Sequence, residues 1–214
     1  HSEKGLHAAS FNVEKGELIA VVGHNGAGKS TLLKILANWI VPDSGHVLVN
    51  GVDLKNRRAL ARTIGFVPET PNLFDLFSVE YNLKLFARLF QIPFSRIEET
   101  LKEFNLRSFR RHKVAELSKG LKQRVSIGRS LLPDPPVLLF DEPTSGLDSE
   151  MTKEIYKLLT QLHASGKTIL FTSHRPEEIQ TLATRIMVLH QGGILFDGSP
   201  QKYFQSNIHQ NLYA

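Results

Sequence analysis

The sequence predicts an α/β fold in which a mainly parallel sheet is interrupted by a helical insert. Val137–Phe140 and Thr168–Thr172 are continuous apolar runs, the pattern of parallel strands covered on both faces. A helical stretch, Ser149–His163, lies between them and stops at Gly166. A second helix-rich block, from about Val79 to Phe109, separates the strands that precede it from those that follow.

Taken in chain order, Phe11, Val13, Leu18–Val22 and Val47–Val49 read as strands, punctuated by Lys15-Gly16 and Ser44-Gly45. Ser30–Ala37 carries Leu32, Leu33, Ile35 and Leu36 at helical spacing. Ile64–Val67 is a short buried-type strand ended by Pro68. In the helical block the apolar residues are Leu83, Phe86, Ala87 and Phe90, and Pro93 breaks it in two. A last helix is predicted over Leu121–Leu132. The expected division is an α/β core over residues 1–70 and 130–214 with a helical subdomain over 71–129.

Composition narrows the function classes. The 214 residues are 41% hydrophobic and 22% charged, ordinary for a globular chain, which excludes fibrous and disordered classes. No apolar run approaches the about 20 residues of a membrane span. With no cysteine, disulfides and thiolate metal sites are excluded. The start, His1-Ser2-Glu3-Lys4-Gly5, has no signal-peptide pattern, and its lack of an initiator Met reads as a trimmed chain. The net charge of +5 is modest, but Lys84–Arg124 holds eleven Lys and Arg against four Glu. That stretch reads as a solvated helical face, or as a surface facing anionic lipid or an acidic partner. No aromatic interleaving marks a base-stacking platform, so no nucleic-acid partner is expected.

Gly23-His24-Asn25-Gly26-Ala27-Gly28-Lys29-Ser30 fits the phosphate-loop pattern G-x-x-x-x-G-K-[ST], between a predicted strand and a predicted helix. Glycines let the loop curl so that its N–H groups and the helix N-terminus hold phosphates. Lys29 supplies charge to the β- and γ-phosphates, Ser30 is placed to ligate Mg²⁺, and Thr31 to reach the α-phosphate. Val137–Phe140 runs into Asp141 and Glu142. Asp141 at that strand end reaches the metal, and Glu142 can take a proton from attacking water.

The order of motifs resembles the ATP-binding cassette (ABC) ATPase family, a P-loop NTPase fold with a small antiparallel β part and an inserted helical subdomain. The resemblance spans Ala9 to Phe204. Leu117-Ser118-Lys119-Gly120-Leu121-Lys122-Gln123-Arg124 is similar to the family's L-S-G-G-Q signature and its basic continuation. Pro143-Thr144-Ser145-Gly146-Leu147-Asp148 resembles the D-loop, and Thr172-Ser173-His174 the switch histidine.

The resemblance implies that Ser118, Lys119, Gly120 and Leu121 serve the γ-phosphate held by a second cassette. It implies that His174 contacts the γ-phosphate and holds Glu142, and that Asp148 makes a cross-subunit contact. Asp148 also reads as a helix N-cap, and the two roles are compatible. A homo- or heterodimer around two MgATP, an integral membrane permease as partner, and a cytoplasmic place on the inner face of the cell membrane follow as expectations.

Three departures stand out. Lys119 and Leu121 replace the signature's third and fifth residues. Glu69, after Ile64–Pro68, stands where the family places a Gln that ligates Mg²⁺. The adenine-stacking aromatic would fall before His1. Glu69 with the Lys-Gly-Leu-Lys-Gln-Arg run resembles exporter-type cassettes. A soluble ABC ATPase of translation or repair and a small-molecule kinase are the competing readings. The first type has two cassettes or a very long insertion, and the second leaves the signature helix and His174 without a role.

Overall fold

The computed structural model describes residues 5–7 and 9–208. Strands β1 (Leu18–Val22), β4 (Ile64–Val67), β5 (Val137–Phe140), β6 (Thr168–Thr172), β7 (Arg185–His190) and β8 (Gly193–Gly198) form one sheet in the order β4-β5-β6-β1-β7-β8. All neighbours pair in parallel except β7 and β8. β2 (Leu48–Val49) and β3 (Val52–Asp53) make a separate antiparallel hairpin. This is the predicted class.

The continuous apolar strands are explained by their two covered faces. Ile19 and Val21 of β1, Leu139 of β5 and Leu170 of β6 share one core cluster with Leu32, Leu33 and Leu36. Those three leucines come from α1 (Lys29–Leu36), which covers that face. Leu18, Ala20 and Val22, with Leu138, Phe140, Ile169 and Phe171, point the other way. There they meet α3 (Val79–Leu89), α4 (Ser95–Glu103), α5 (Lys119–Leu131), α6 (Ser149–Ala164) and α7 (Pro176–Leu182). Alternation of side chains across the pleat therefore favours apolar residues throughout, the exceptions being Thr168 and Thr172 at the two ends of β6.

Register fixes where the strands end. Val21 lies opposite Thr172, Phe140 opposite Phe171, and Val67 opposite Phe140. Gly23, Asp141 and Ser173 consequently emerge at one edge of the sheet, beside the end of β4. Ligands of open α/β sheets bind at such carboxyl ends.

Several sequence expectations are corrected. Phe11 and Val13 form no strand, although both pack against the cluster beneath α1. The strand expected over Val47–Val49 shrinks to Leu48–Val49. The block read as helical from Val79 to Phe109 ends its first helix at Leu89, before Pro93, and its second at Glu103. Arg107–Phe109 is a 3₁₀ turn. The helix expected from Leu121 begins two residues earlier, at Lys119. Helix α2 (Arg57–Thr63), helix α7 and the β7–β8 hairpin were not read from the sequence.

Part of the basic stretch is paired. Arg110 reaches Glu80 and Glu98, Lys84 reaches Glu80, Lys122 reaches Asp75, and Arg124 meets Glu154. Arg129, on the inner side of α5, is buried without a carboxylate partner among the described residues. It donates to the Asn72 carbonyl and lies 4.4 Å over the Phe86 ring, and burial lowers its pKa to about 10.

Candidate active site

The loop from Gly23 to Ser30 joins β1 to α1. Gly28, the N-cap of α1, stands at φ 100 and offers no side-chain bond to the first turn. A β-carbon there would also press on the backbone of Gly5 and Leu6 at 3.3 Å. At Gly23 a β-carbon would run into the Leu189 carbonyl of β7. Both positions need glycine for close backbone approach. Ala27 is buried in the core, and the His24 ring packs edge-on to His190 at 5.4 Å.

Lys29 is folded over its own loop. Its Nζ donates to the carbonyls of Gly23 and His24 at 2.7 and 3.2 Å. Burial pushes the ammonium below the usual lysine range, and the carboxylates of Glu142 and Asp141 pull it back up. A buried cation with only carbonyl partners is poised to exchange them for phosphate oxygens.

Ser30, from the first turn of α1, donates to Asp141 Oδ1 at 2.9 Å. The Thr172 hydroxyl donates to the same oxygen at 2.8 Å and accepts the Glu142 N–H at 2.8 Å. Asp141 is almost fully buried, and its own N–H donates to Val67. Three strands and the first turn of α1 thus meet at one residue. Glu142 stands at φ 48, a left-handed conformation rare outside glycine, so its backbone turns sharply at the strand end. His174, after β6, lies with Nδ1 at 2.9 Å from Glu142 Oε2. Glu69 is 76 residues from Ser145 in sequence but accepts its hydroxyl at 3.1 Å.

A cavity of about 520 Å³ opens above this network. Asn25, Gly26, Gly28, Lys29, Ser30 and Thr31 line one wall, with Gly5, and Glu69, Glu142 and His174 face them. A larger groove of about 620 Å³ runs between α2 and the end of α3, past Arg58, Arg62, Leu89 and Phe90, and holds none of these residues. Charge, backbone N–H groups and carboxylates converge at the first.

The signature residues lie outside that cavity. Ser118 is the N-cap of α5 and accepts the Leu121 N–H at 3.3 Å. Gly120 is buried against Met151, and the Lys119 ammonium lies over Gly146. Asp148 is the N-cap of α6 and accepts the Met151 N–H at 2.8 Å. Sequence reasoning gave no role to Thr172 or Ser145. Their signal was at most position within a motif, because which hydroxyl meets which carboxylate is set by strand register and loop path.

Residues 6–145 match the ABC transporter family. The chain belongs to that family. This cassette is 36% identical to the ABC transporter ATP-binding protein NatA of Bacillus subtilis (strain 168), over 98% of this chain and 87% of NatA. It is 41% identical to the Nod factor export ATP-binding protein I of Rhizobium sp. (strain N33), over 95% of this chain and 68% of that one. Among solved structures, the dimeric ATP-binding cassette MJ0796 bound to ADP and Pi superposes with a TM-score of 0.83 at 30% identity, covering 91% of this chain and 90% of that one. CbiO1 of Clostridium perfringens, part of the ABC transporter complex cbiONQ, superposes at 0.82 and 30% identity, covering 95% and 85%. The cassette is therefore an ATP-binding and ATP-hydrolysing transporter subunit. Among the described residues no helix is long and apolar enough to cross a membrane.

Proposed function

We propose that the cassette hydrolyses MgATP in the cavity above β1, β5 and β6, as one half of a head-to-tail dimer that drives an integral membrane permease. The observation that carries this reading is the junction of Lys29, Ser30 and the Glu142–His174 pair on one cavity. Backbone N–H groups of residues 25–31 and the Lys29 ammonium would hold the phosphates. The donors near Ser30 are hard oxygens: its hydroxyl, the Asp141 carboxylate behind it and Glu69 across the cavity. That set fits Mg²⁺, which takes few protein ligands and completes its shell with phosphate and water. Bound there, Mg²⁺ would neutralise charge on the phosphate oxygens.

Glu142 acts as general base. It takes a proton from a water whose oxygen bonds to the γ-phosphorus, while the bond from that phosphorus to the β–γ bridging oxygen breaks and ADP leaves. His174 Nδ1–H donates to Glu142 Oε2 and holds the carboxylate in that direction. Lys29 offsets charge building on the leaving oxygen.

Ser118, Lys119, Gly120 and Leu121 on α5, and Asp148 at the head of α6, would serve the partner cassette's nucleotide. Their place outside the cavity of their own chain supports this. The MJ0796 cassette is a dimer, and cbiO1 belongs to a complex with other components. Residues 1–70 and 130–214 would form the ATP-binding core, with 71–129 as the subdomain that meets the permease on the cytoplasmic face of the membrane. Similarity to Nod factor export proteins supports export as the direction.

The deciding experiment is Glu142→Gln. General-base removal should lower kcat by about 10²–10⁴, while ATP still binds and light scattering shows a lasting dimer. Wild-type turnover in this variant would overturn the assignment.

A further inference from the structure

Behind the cavity wall lies a carboxyl group that solvent does not reach. Glu178, in the first turn of α7, is fully buried, whereas its neighbour Glu177 is exposed. Its Oε2 accepts the Ser173 hydroxyl at 2.6 Å, and its Oε1 accepts the Thr144 hydroxyl at 3.0 Å. Arg175 closes the arrangement from the other side. Its N–H donates to Ser173 Oγ at 3.0 Å and its guanidinium to Thr144 Oγ1 at 3.3 Å.

These hydroxyls belong to the two loops that carry the chemistry. Ser173 immediately precedes His174. Thr144 lies between Glu142 and Ser145, and Ser145 donates to Glu69. Among the described residues no main-chain hydrogen bond joins residues 143–148 to residues 173–175. Beyond the bonds that Glu142 makes to His174 and Thr172, the loops are tied together through Glu178 and Arg175.

A carboxyl that served only the helix dipole would sit at the surface, as Glu177 does, and avoid the desolvation penalty. Burial pushes the Glu178 carboxyl above the usual range and Glu142 adds to that, while the two hydroxyls and Arg175 oppose it. Tyr156 of α6 lies near enough to feel the Glu178 charge. Burial and the nearby Glu178 raise its hydroxyl to about 12, and its oxygen has no hydrogen-bond partner among the described residues.

We propose that Glu178 is a positioning residue for ATP hydrolysis, setting His174 and the Thr144–Ser145 segment against each other through Ser173 and Thr144. It touches neither nucleotide nor metal. The inference rests on the assignment of Glu142 and His174 above. A displacement of about 1 Å in such a constellation can cost about 10²-fold in rate.

The test is steady-state hydrolysis with the full chain and MgATP. Glu178→Ala should lower kcat tenfold or more while KM for ATP stays within about twofold, because the phosphate loop is untouched. Glu178→Gln should recover most of that loss, since its amide still bonds both hydroxyls once one of them reverses. If Glu178→Ala does not fold, Thr144→Val and Ser173→Ala each remove one arm and should show the same split. Wild-type kcat in these variants, or equal loss of kcat and ATP affinity, would overturn the proposal. Glu142→Gln serves as the control. If it is inactive while Glu178→Ala is normal, only the positioning role fails; if it is fully active, the assignment of the base fails.

Discussion

Helix α1 starts at Gly28, which offers no side chain to its own first-turn N–H groups, while α5 starts at Ser118, whose hydroxyl accepts the Leu121 N–H. Both helix ends are anion sites in principle, because unpaired N–H groups and the helix dipole favour negative charge. Only the first depends on a ligand to complete it. There the donors are open and the ammonium of Lys29 is parked on two carbonyls. At α5 the chain caps itself, and the two first-turn cations turn to protein: Lys119 lies over Gly146 and Lys122 pairs with Asp75. One chain therefore carries a full grip on phosphate and a second helix end that is stable without any. On the proposed reading, the second end would be held ready for a nucleotide carried by the partner cassette.

The sharpest way to break this contrast is at Lys29. Lys29→Ala removes a charge-assisted contact worth about 1.5–3 kcal/mol, so ATP affinity measured by titration calorimetry should fall tenfold or more. Unchanged affinity would mean that α1 does not hold the phosphates. Next in size is Ser118→Ala. Loss of the cap should cost about 1 kcal/mol in denaturant titration. Nucleotide affinity of the single chain should not change, whereas hydrolysis should fall. A drop in single-chain affinity would show that α5 serves the nucleotide of its own chain.

The smallest effect concerns the approach to α5. Glu80, at the head of α3, bonds Arg110 at 2.7 Å and Lys84 at 2.6 Å. The Arg110 hydrogen bond, then that of Lys84, lowers its pKa from 4.5 to about 2. The ionised form is the one the fold favours. Its stabilisation is complete above pH 4.5 and is lost as pH falls from there towards 2. Both cations are partly exposed, so Glu80→Gln should cost less than about 1 kcal/mol at pH 7, and the cost should shrink as pH falls towards 2. Amide hydrogen exchange should speed up over residues 110–118 and not over 23–31. Equal acceleration in both would show that the two helix ends are not independent.

Legibility in the sequence followed the same divide. β1, β5 and β6 were readable because strands covered on both faces are apolar along their middles, and the phosphate loop because its glycines stand at fixed offsets. Phe11 and Val13 misled because alternation marks which residues are buried, not whether a neighbouring strand pairs with them. Helix α2 escaped because Arg57, Arg58 and Arg62 leave little apolar period. The β7–β8 hairpin turns on Gln191-Gly192, at φ 46 and 74, without the usual Asn or Asp before the glycine. In the site, Lys29, Ser30, Asp141, Glu142 and His174 were legible and lie together. Thr172 bridging Asp141 to the Glu142 backbone was not, since it depends on the β5–β6 register. Glu178 was not, because one acid of a Pro-Glu-Glu helix start looks like the other until burial separates them.

The left-handed backbone at Glu142 reaches beyond this one chain. That conformation costs a residue with a β-carbon about 1–2 kcal/mol, and glycine or asparagine would occupy it with less strain. Selection for stability alone would therefore remove the acid from that turn. A cassette that had given up turnover and kept only nucleotide-dependent association would gain by losing it. If Glu142 is the base, as proposed, the residue at this turn would separate motors, which must let go of their nucleotide, from clamps, which need only hold it.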